Sequence, residues 1–139
     1  MKIQDIQNAL ETAYNAMFVS QPNLFKFTPE TGLTEWNLAH HYANEVHRLY
    51  DKYNCDLDVT KHTEHNKRPD IILHERGTHE NNFLVIDVKY NRHPREIEED
   101  VVKIHNHWFQ PPLFYTYGAT LHIQDNQAPE IQVFMNPAK

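Results

Sequence analysis

Two short apolar runs, joined by a polar turn, constrain the fold of this chain more than any other feature. The first occupies residues 71–74, directly after Asp70, and the second occupies residues 83–90. Their apolar residues are mostly Ile, Leu and Val, and the turn between them contains Gly77 and two asparagines. Runs of this length with loop residues on either side predict two neighbouring β-strands.

The second of these predicted strands carries two charged residues, Asp87 and Lys89. Because strand side chains alternate between faces, both are expected on the face that also holds Phe83 and Val85. Burying charge is costly unless the charge is paired or bound to an ion. The two residues therefore indicate either a functional site or a half-exposed ion pair on an edge strand.

Apolar residues at spacings of three and four predict three helices. The first covers residues 2–18. The second begins near residues 33–34 with Thr34 as its N-cap, and the third begins at Pro94, which suits a first helical turn. The expected buried stripes are Ile3, Ile6, Leu10, Ala13 and Met17, then Leu38, Tyr42, Val46, Leu49 and Tyr53, then Ile97, Val101, Ile104 and Trp108.

Three further strands complete the prediction, over residues 55–61, within residues 113–124, and over residues 130–135. The expected order is helix, helix, three strands, helix, two strands. With 139 residues, of which 40 % are hydrophobic, residues 1–139 are expected to form a single α/β domain. Its predicted architecture is a central mixed β-sheet flanked by helices.

Charge and cysteine content limit the cellular locations and the classes of partner that are expected for this chain. No signal peptide and no run of membrane-spanning length is visible, and the one cysteine, Cys55, excludes an internal disulfide. A cytoplasmic location without a membrane partner is expected. The net charge of -6 argues against a protein that binds nucleic acid over its whole surface.

Two more carboxylates stand in unusual places. Glu35 lies three residues before Leu38 and so belongs to the packing face of the second helix, while Asp70 opens the first strand of the pair. If the helix packs on the sheet, these acids and Asp87 would converge near Lys89. Hard cations such as Mg²⁺ take oxygen ligands, and a lysine beside them can orient a water molecule. Phosphodiester hydrolysis requires groups of both kinds.

At this point the residues show a resemblance. Pro69-Asp70 followed by Asp87-Val88-Lys89 resembles the bipartite signature of the restriction-endonuclease-like, or PD-(D/E)xK, nuclease superfamily. The segments at residues 34–39, 68–74 and 82–89 are similar to small uncharacterised bacterial members of it. The resemblance covers about residues 33–124, and it implies a restriction-endonuclease-like core.

The resemblance implies a catalytic site with a divalent metal, Mg²⁺ or Mn²⁺. Its ligands would be Asp70, Asp87, the main-chain carbonyl of Val88, and Glu35 from the helix, with Lys89 near the attacking water. Glu35 has an alternative interpretation, in which it reinforces the Thr34 cap or pairs with a nearby cation at the start of the helix.

The implied activity is that of a magnesium-dependent hydrolase, an endonuclease or other nuclease acting on DNA. Arg68 and Lys89 would contact the nucleic acid, although Arg68 is equally suited to a salt bridge that orders its turn. A homodimer is compatible with cutting two strands. The alternatives are a catalytically silent module on the same fold, which binds nucleic acid, a nucleotide or a protein, and a degenerate domain whose charged residues satisfy one another.

Overall fold

The computed structural model describes residues 1–26, 29–31, 33–58 and 68–139. Across these residues the chain forms the helices and strands in the predicted order: α1 (Ile3–Ser20), α2 (Thr34–Leu49), β1 (Asn54–Leu57), β2 (Ile71–His74), β3 (Leu84–Tyr90), α3 (Pro94–Lys103), β4 (Tyr117–Ile123) and β5 (Glu130–Met135). A π-helical turn, Ile104–Trp108, continues α3.

The strands form one sheet in the order β1-β2-β3-β4-β5, so the charged strand β3 lies at its centre. The pairs β1–β2, β2–β3 and β4–β5 are antiparallel, whereas β3 and β4 are parallel. Parallel neighbours need a crossover connection, and α3 supplies it. The predicted α/β class is therefore confirmed, with a mixed sheet. The alternative that β3 is an edge strand is wrong.

Helices cover the sheet on both faces. One core contains the inner sides of α1 and α2 together with Leu84, Ile86, Val88 and Tyr90 of β3. A second, smaller core on the opposite face joins Val85 to the side chains of the π-helical turn and the loop after it. Because side chains alternate along β3, Asp87 and Lys89 share the second face with Val85, as predicted.

Phe83 departs from this alternation. It precedes β3 and lies in the core under α1 and α2, where its ring stacks on Tyr53 with 4.4 Å between centroids. The expectation that it shares a face with Asp87 is wrong, because the alternation of an extended strand begins only at Leu84.

The ends of the first two helices also differ from prediction. The N-cap of α2 is Leu33; Thr34 is already helical, and its Oγ1 accepts the Thr31 N–H at 2.9 Å instead of capping. Leu49 is 45 % exposed because α2 ends there, and Tyr53 lies beyond the helix. Ile3, in the first turn of α1, is 42 % exposed, so the predicted stripe is buried only from Ile6 onward.

The start of α3 follows prediction. Pro94 occupies its first turn, and the preceding His93 caps it, accepting the Arg95 N–H on Nδ1 at 3.1 Å. The Glu96 carboxylate in turn accepts the His93 N–H at 3.2 Å. Of the predicted stripe, Ile97 and Ile104 are buried and Val101 is half-buried, while Trp108 lies in the π-helical turn. Among the described residues, none of the helices has the length and apolarity needed to cross a bilayer.

The remaining strand predictions agree in part. The predicted strand over residues 55–61 corresponds to Asn54–Leu57, and its last three residues lie outside the described residues. The strand expected within residues 113–124 is Tyr117–Ile123, and the one over 130–135 is confirmed as Glu130–Met135.

Candidate functional site

Asp70 and β3 are joined by a hydrogen bond between side chain and backbone. Pairing of β2 with β3 ends at Ile71 and Ile86, and beyond it the Val88 N–H donates to Asp70 Oδ2 at 2.6 Å. A carboxylate thus takes the place of the next ladder carbonyl. The contact brings Asp70 beside the segment that carries Asp87 and Lys89, so these three predicted site residues do gather at one place.

Asp87 is buried and lacks a complete set of partners. It is 5 % exposed, and its Oδ2 has no hydrogen-bond partner within the described part of the chain. Burial, helped by the nearby carboxylates of Asp100 and Asp70, raises the pKa of Asp87 to about 8, against the opposing effect of Lys89 and Lys103. Burial also raises the pKa of Asp70 to about 6, although the Val88 N–H works to lower it.

Thr120 of β4 provides a second unpartnered oxygen beside Asp87. The two residues are paired in the parallel register of β3 and β4, so their side chains share the face under α3. Thr120 is 2 % exposed, and no hydrogen bond to its Oγ1 is formed by the described residues. Buried polar atoms normally have partners, so these two oxygens mark a position suited to an ion, a water or a ligand group.

Lys89 forms its ion pair with Asp100 of α3. Its Nζ lies 3.0 Å from Asp100 Oδ2, and Lys103 Nζ donates to Asp100 Oδ1 at 3.2 Å. Asp100 is only 1 % exposed. Burial works to lower the pKa of Lys89, but the Asp100 carboxylate outweighs it and the pKa is raised, so the amine is held in its charged form.

Asp100 was not among the residues predicted to form the site. A signal was present. Asp100 lies three residues after Ile97 and four before Ile104, so the helical period places it on the buried stripe of α3. The same spacing argument singled out Glu35.

Glu35 lies at the C-terminal end of β3, where it has partners of its own. Its Oε2 accepts the Tyr90 N–H at 2.9 Å, and the Arg92 guanidinium donates to both carboxylate oxygens, at 2.8 and 3.1 Å. This is the cation pairing that the sequence left open as an alternative. Glu35 is still close enough to raise the pKa of Asp70. Arg92 was not among the predicted site residues.

Arg68 is mostly exposed and contacts a neighbouring acid. Its Nε lies 3.6 Å from Asp58 Oδ1, and the Asp58 N–H donates to the Asp70 carbonyl at 3.0 Å. The pair therefore sits beside the backbone of Asp70, in agreement with a salt bridge that orders the turn. A phosphate contact by Arg68 stays a prediction.

The donor chemistry suits a hard divalent cation through two carboxylates. Within the described residues, no group of three His, Cys, Asp or Glu side chains is arranged to hold a metal ion. Mg²⁺, however, often takes one or two carboxylates and fills its shell with water and substrate phosphate. The unpartnered Oδ2 of Asp87, next to Asp70, fits that limited role, whereas Glu35 would first have to release Arg92.

The chain matches no family model, no curated protein and no solved structure.

Proposed function

We propose that this protein is a metal-dependent phosphodiester hydrolase of the PD-(D/E)xK type, with DNA as its substrate. The observation that carries the proposal is the buried carboxylate of Asp87. It sits on a central strand with one oxygen unpartnered, and Asp70 and Lys89 lie close enough to shift its pKa. Fold stability alone gives no reason to keep an acid there with an oxygen that no described residue satisfies, because burying it costs free energy.

The order of the elements supports the proposal. The resemblance implies a helix, a three-stranded meander, a helix and a further strand. The chain has α2, the antiparallel meander β1-β2-β3, the crossover helix α3 and the parallel strand β4 in that order. A restriction-endonuclease-like core is accordingly part of the proposal.

Asp70 and Asp87 would hold the cation. The Val88 carbonyl and Glu35 complete the set of ligands that the resemblance implies. The chemistry that a bound Mg²⁺ or Mn²⁺ supplies is polarisation of the phosphoryl group and activation of a water. Asp70 contributes a carboxylate whose orientation is already set by its hydrogen bond to the Val88 N–H. Asp87 contributes the free oxygen.

Lys89 would orient the attacking water and stabilise the negative charge that develops on the phosphoryl oxygens. Its side chain is 21 % exposed, so the amine can be reached from solvent although it is paired. Arg68 and Arg92 lie on either side of the signature, with side chains 64 % and 44 % exposed. These cations would contact backbone phosphates locally, which a net charge of -6 does not prevent.

The direct test is cleavage of supercoiled plasmid and of linear DNA in Mg²⁺, in Mn²⁺ and in EDTA. We expect cleavage that depends on the metal and is lost in Asp87→Ala and Lys89→Ala, with folding confirmed by circular dichroism. Glu99→Gln and Lys52→Met, which alter exposed residues of matching charge, serve as controls. Cleavage by either site variant at the rate of the unmodified protein would refute the assignment.

A second candidate is a catalytically silent module on the same fold, which binds nucleic acid, a nucleotide or a protein. One observation favours it, because two of the predicted catalytic groups already form ion pairs. Lys89 pairs with Asp100, and Glu35 pairs with Arg92. The absence of DNA cleavage in every metal, together with no heat on titrating Mn²⁺ into the protein, would select this candidate.

The predicted homodimer is tested separately. Sedimentation in the same buffers would show whether two copies of the chain associate, as cleavage of both DNA strands would allow.

A further inference from the structure

Asp100 is a buried acid on the site face that the PD-(D/E)xK signature does not contain. It belongs to α3, on the opposite side of the interface from β3, and it is 1 % exposed. The ion pair with Lys89 connects these two elements. A buried carboxylate in contact with the proposed catalytic amine calls for an explanation of its own.

The position of Asp100 is set by packing and by its two partners. Ile97 and Ile104, one helical turn before and after it, are both buried. Ile104 lies so close to β4 that a Cβ added to Gly118 would come within 2.4 Å of its Cγ2. Lys103 Nζ donates to Asp100 Oδ1 at 3.2 Å, whereas Oδ2, which accepts no hydrogen bond from the described residues, faces the Lys89 ammonium as an ion pair at 3.0 Å. The carboxylate is therefore a fixed point.

Lys89, by contrast, has a long side chain that needs a fixed point. Its stem carries four rotatable bonds, and ordering such a side chain costs conformational entropy. Fixing Nζ at Oδ2 of Asp100 keeps the amine under α3, on the face that holds Asp87 and Thr120. Hydrolysis benefits when the groups that act on the phosphate are held in place before the substrate arrives.

We infer that Asp100 is a positioning residue, which holds the Lys89 amine where it acts in the reaction. The inference rests on the proposed hydrolase function. The opposite role would be that of a latch, in which Asp100 sequesters Lys89 and slows the reaction. Removing a positioning residue lowers the rate of the chemical step, whereas removing a latch raises it.

The kinetic test compares Asp100→Asn with the unmodified protein in Mn²⁺. We expect kcat to fall about 10–100-fold, the usual effect of losing a residue that orients a catalytic group, while KM for DNA changes less than about twofold. Asp100→Glu keeps the carboxylate and should recover part of the rate. Glu99→Gln, an exposed neighbour on α3, should leave kcat unchanged. An unchanged or raised kcat in Asp100→Asn would overturn the inference.

A spectroscopic test needs no activity. An ammonium group held in an ion pair exchanges its protons slowly enough to give a signal in ¹⁵N-detected lysine NMR spectra. We expect such a signal for Lys89, assigned with Lys89→Arg, and its loss in Asp100→Asn but not in Glu99→Gln. Persistence of the signal in folded Asp100→Asn would show that Asp100 does not hold the amine.

The two tests separate the inference from the function on which it rests. If the unmodified protein cleaves no DNA, the proposed function fails, and the NMR signal still decides the ion pair. If the unmodified protein cleaves DNA and Asp100→Asn cleaves it equally well, the positioning role alone is wrong.

Discussion

The carboxylate of Asp70 accepts the backbone N–H of Val88 at 2.6 Å, one step beyond the last ladder pair of β2 and β3. The Asp70 side chain therefore extends the pairing of β2 with β3 by one hydrogen bond. Asp70 and Asp87 consequently have opposite structural roles: the first satisfies a backbone donor, whereas the second leaves an oxygen unsatisfied.

We expect Asp70→Ala to lower the free energy of unfolding by about 1–3 kcal/mol, because it leaves the Val88 N–H without its acceptor. Asp70→Asn keeps an oxygen that can accept this hydrogen bond and should cost less than about 1 kcal/mol. Urea unfolding of both variants at pH 7 measures the difference. Equal losses in the two variants would show that the hydrogen bond is not what Asp70 contributes to stability.

Asp87→Asn should raise stability, by about 1–3 kcal/mol at pH 8, because it removes a buried, incompletely partnered carboxylate. The gain should depend on pH. Burial raises the pKa of Asp87 to about 8, above the value of about 3.9 expected in the unfolded chain, so the folded protein binds the proton more tightly. The stability due to this protonation is fully present below about pH 4 and is lost as the pH rises through about 8.

The Asp87→Asn measurement is therefore urea unfolding at pH 5 and at pH 8, with Glu99→Gln as an exposed control. The variant should gain more at pH 8 than at pH 5. A loss of stability at both pH values would show that Asp87 has a stabilising partner in the folded protein.

Arg92→Leu should tighten Mn²⁺ binding about threefold to tenfold, or roughly 1 kcal/mol, because it frees the Glu35 carboxylate to become a ligand. Isothermal titration calorimetry measures the affinity. Arg95→Leu is the matched control, since Arg95 is exposed, carries the same charge and lies close by in the chain. Equal effects of the two variants would mean that only the general loss of positive charge matters, and Glu35 would then not be a ligand.

Gly118→Ala should destabilise the fold by about 1–3 kcal/mol, since the new Cβ would come within 2.4 Å of Ile104 Cγ2. Ile104→Leu removes the branch at Cβ that makes this contact, so it should recover part of the loss when combined with Gly118→Ala. Thermal unfolding of the single and double variants gives the coupling energy. Additive losses would show that the two side chains do not meet, and that the π-helical turn after α3 is not fixed against β4 at this point.

Much of the local structure followed from the sequence alone. Period-2 alternation in residues 84–90 placed Asp87 and Lys89 on one face and Ile86 and Val88 on the other, because strand geometry leaves no other choice. The spacing of apolar residues gave the helices, and Pro94 marked the start of α3. Helix ends were less accurate, as Thr34 and Leu49 show, because the residues that cap and cover an end come from elsewhere in the fold.

The partners of the charged groups were decided by the tertiary structure. A pattern within β3 cannot show that the crossover brings Asp100 to Lys89, or that Arg92 turns back to Glu35. It also cannot show that the parallel register sets Thr120 beside Asp87. Local periodicity determines which face a side chain occupies, whereas the group it meets there depends on how distant elements pack. For this chain, the sequence identified Asp70, Asp87 and Lys89, and the fold determined which charged groups they meet and which oxygens the described residues leave without a hydrogen bond.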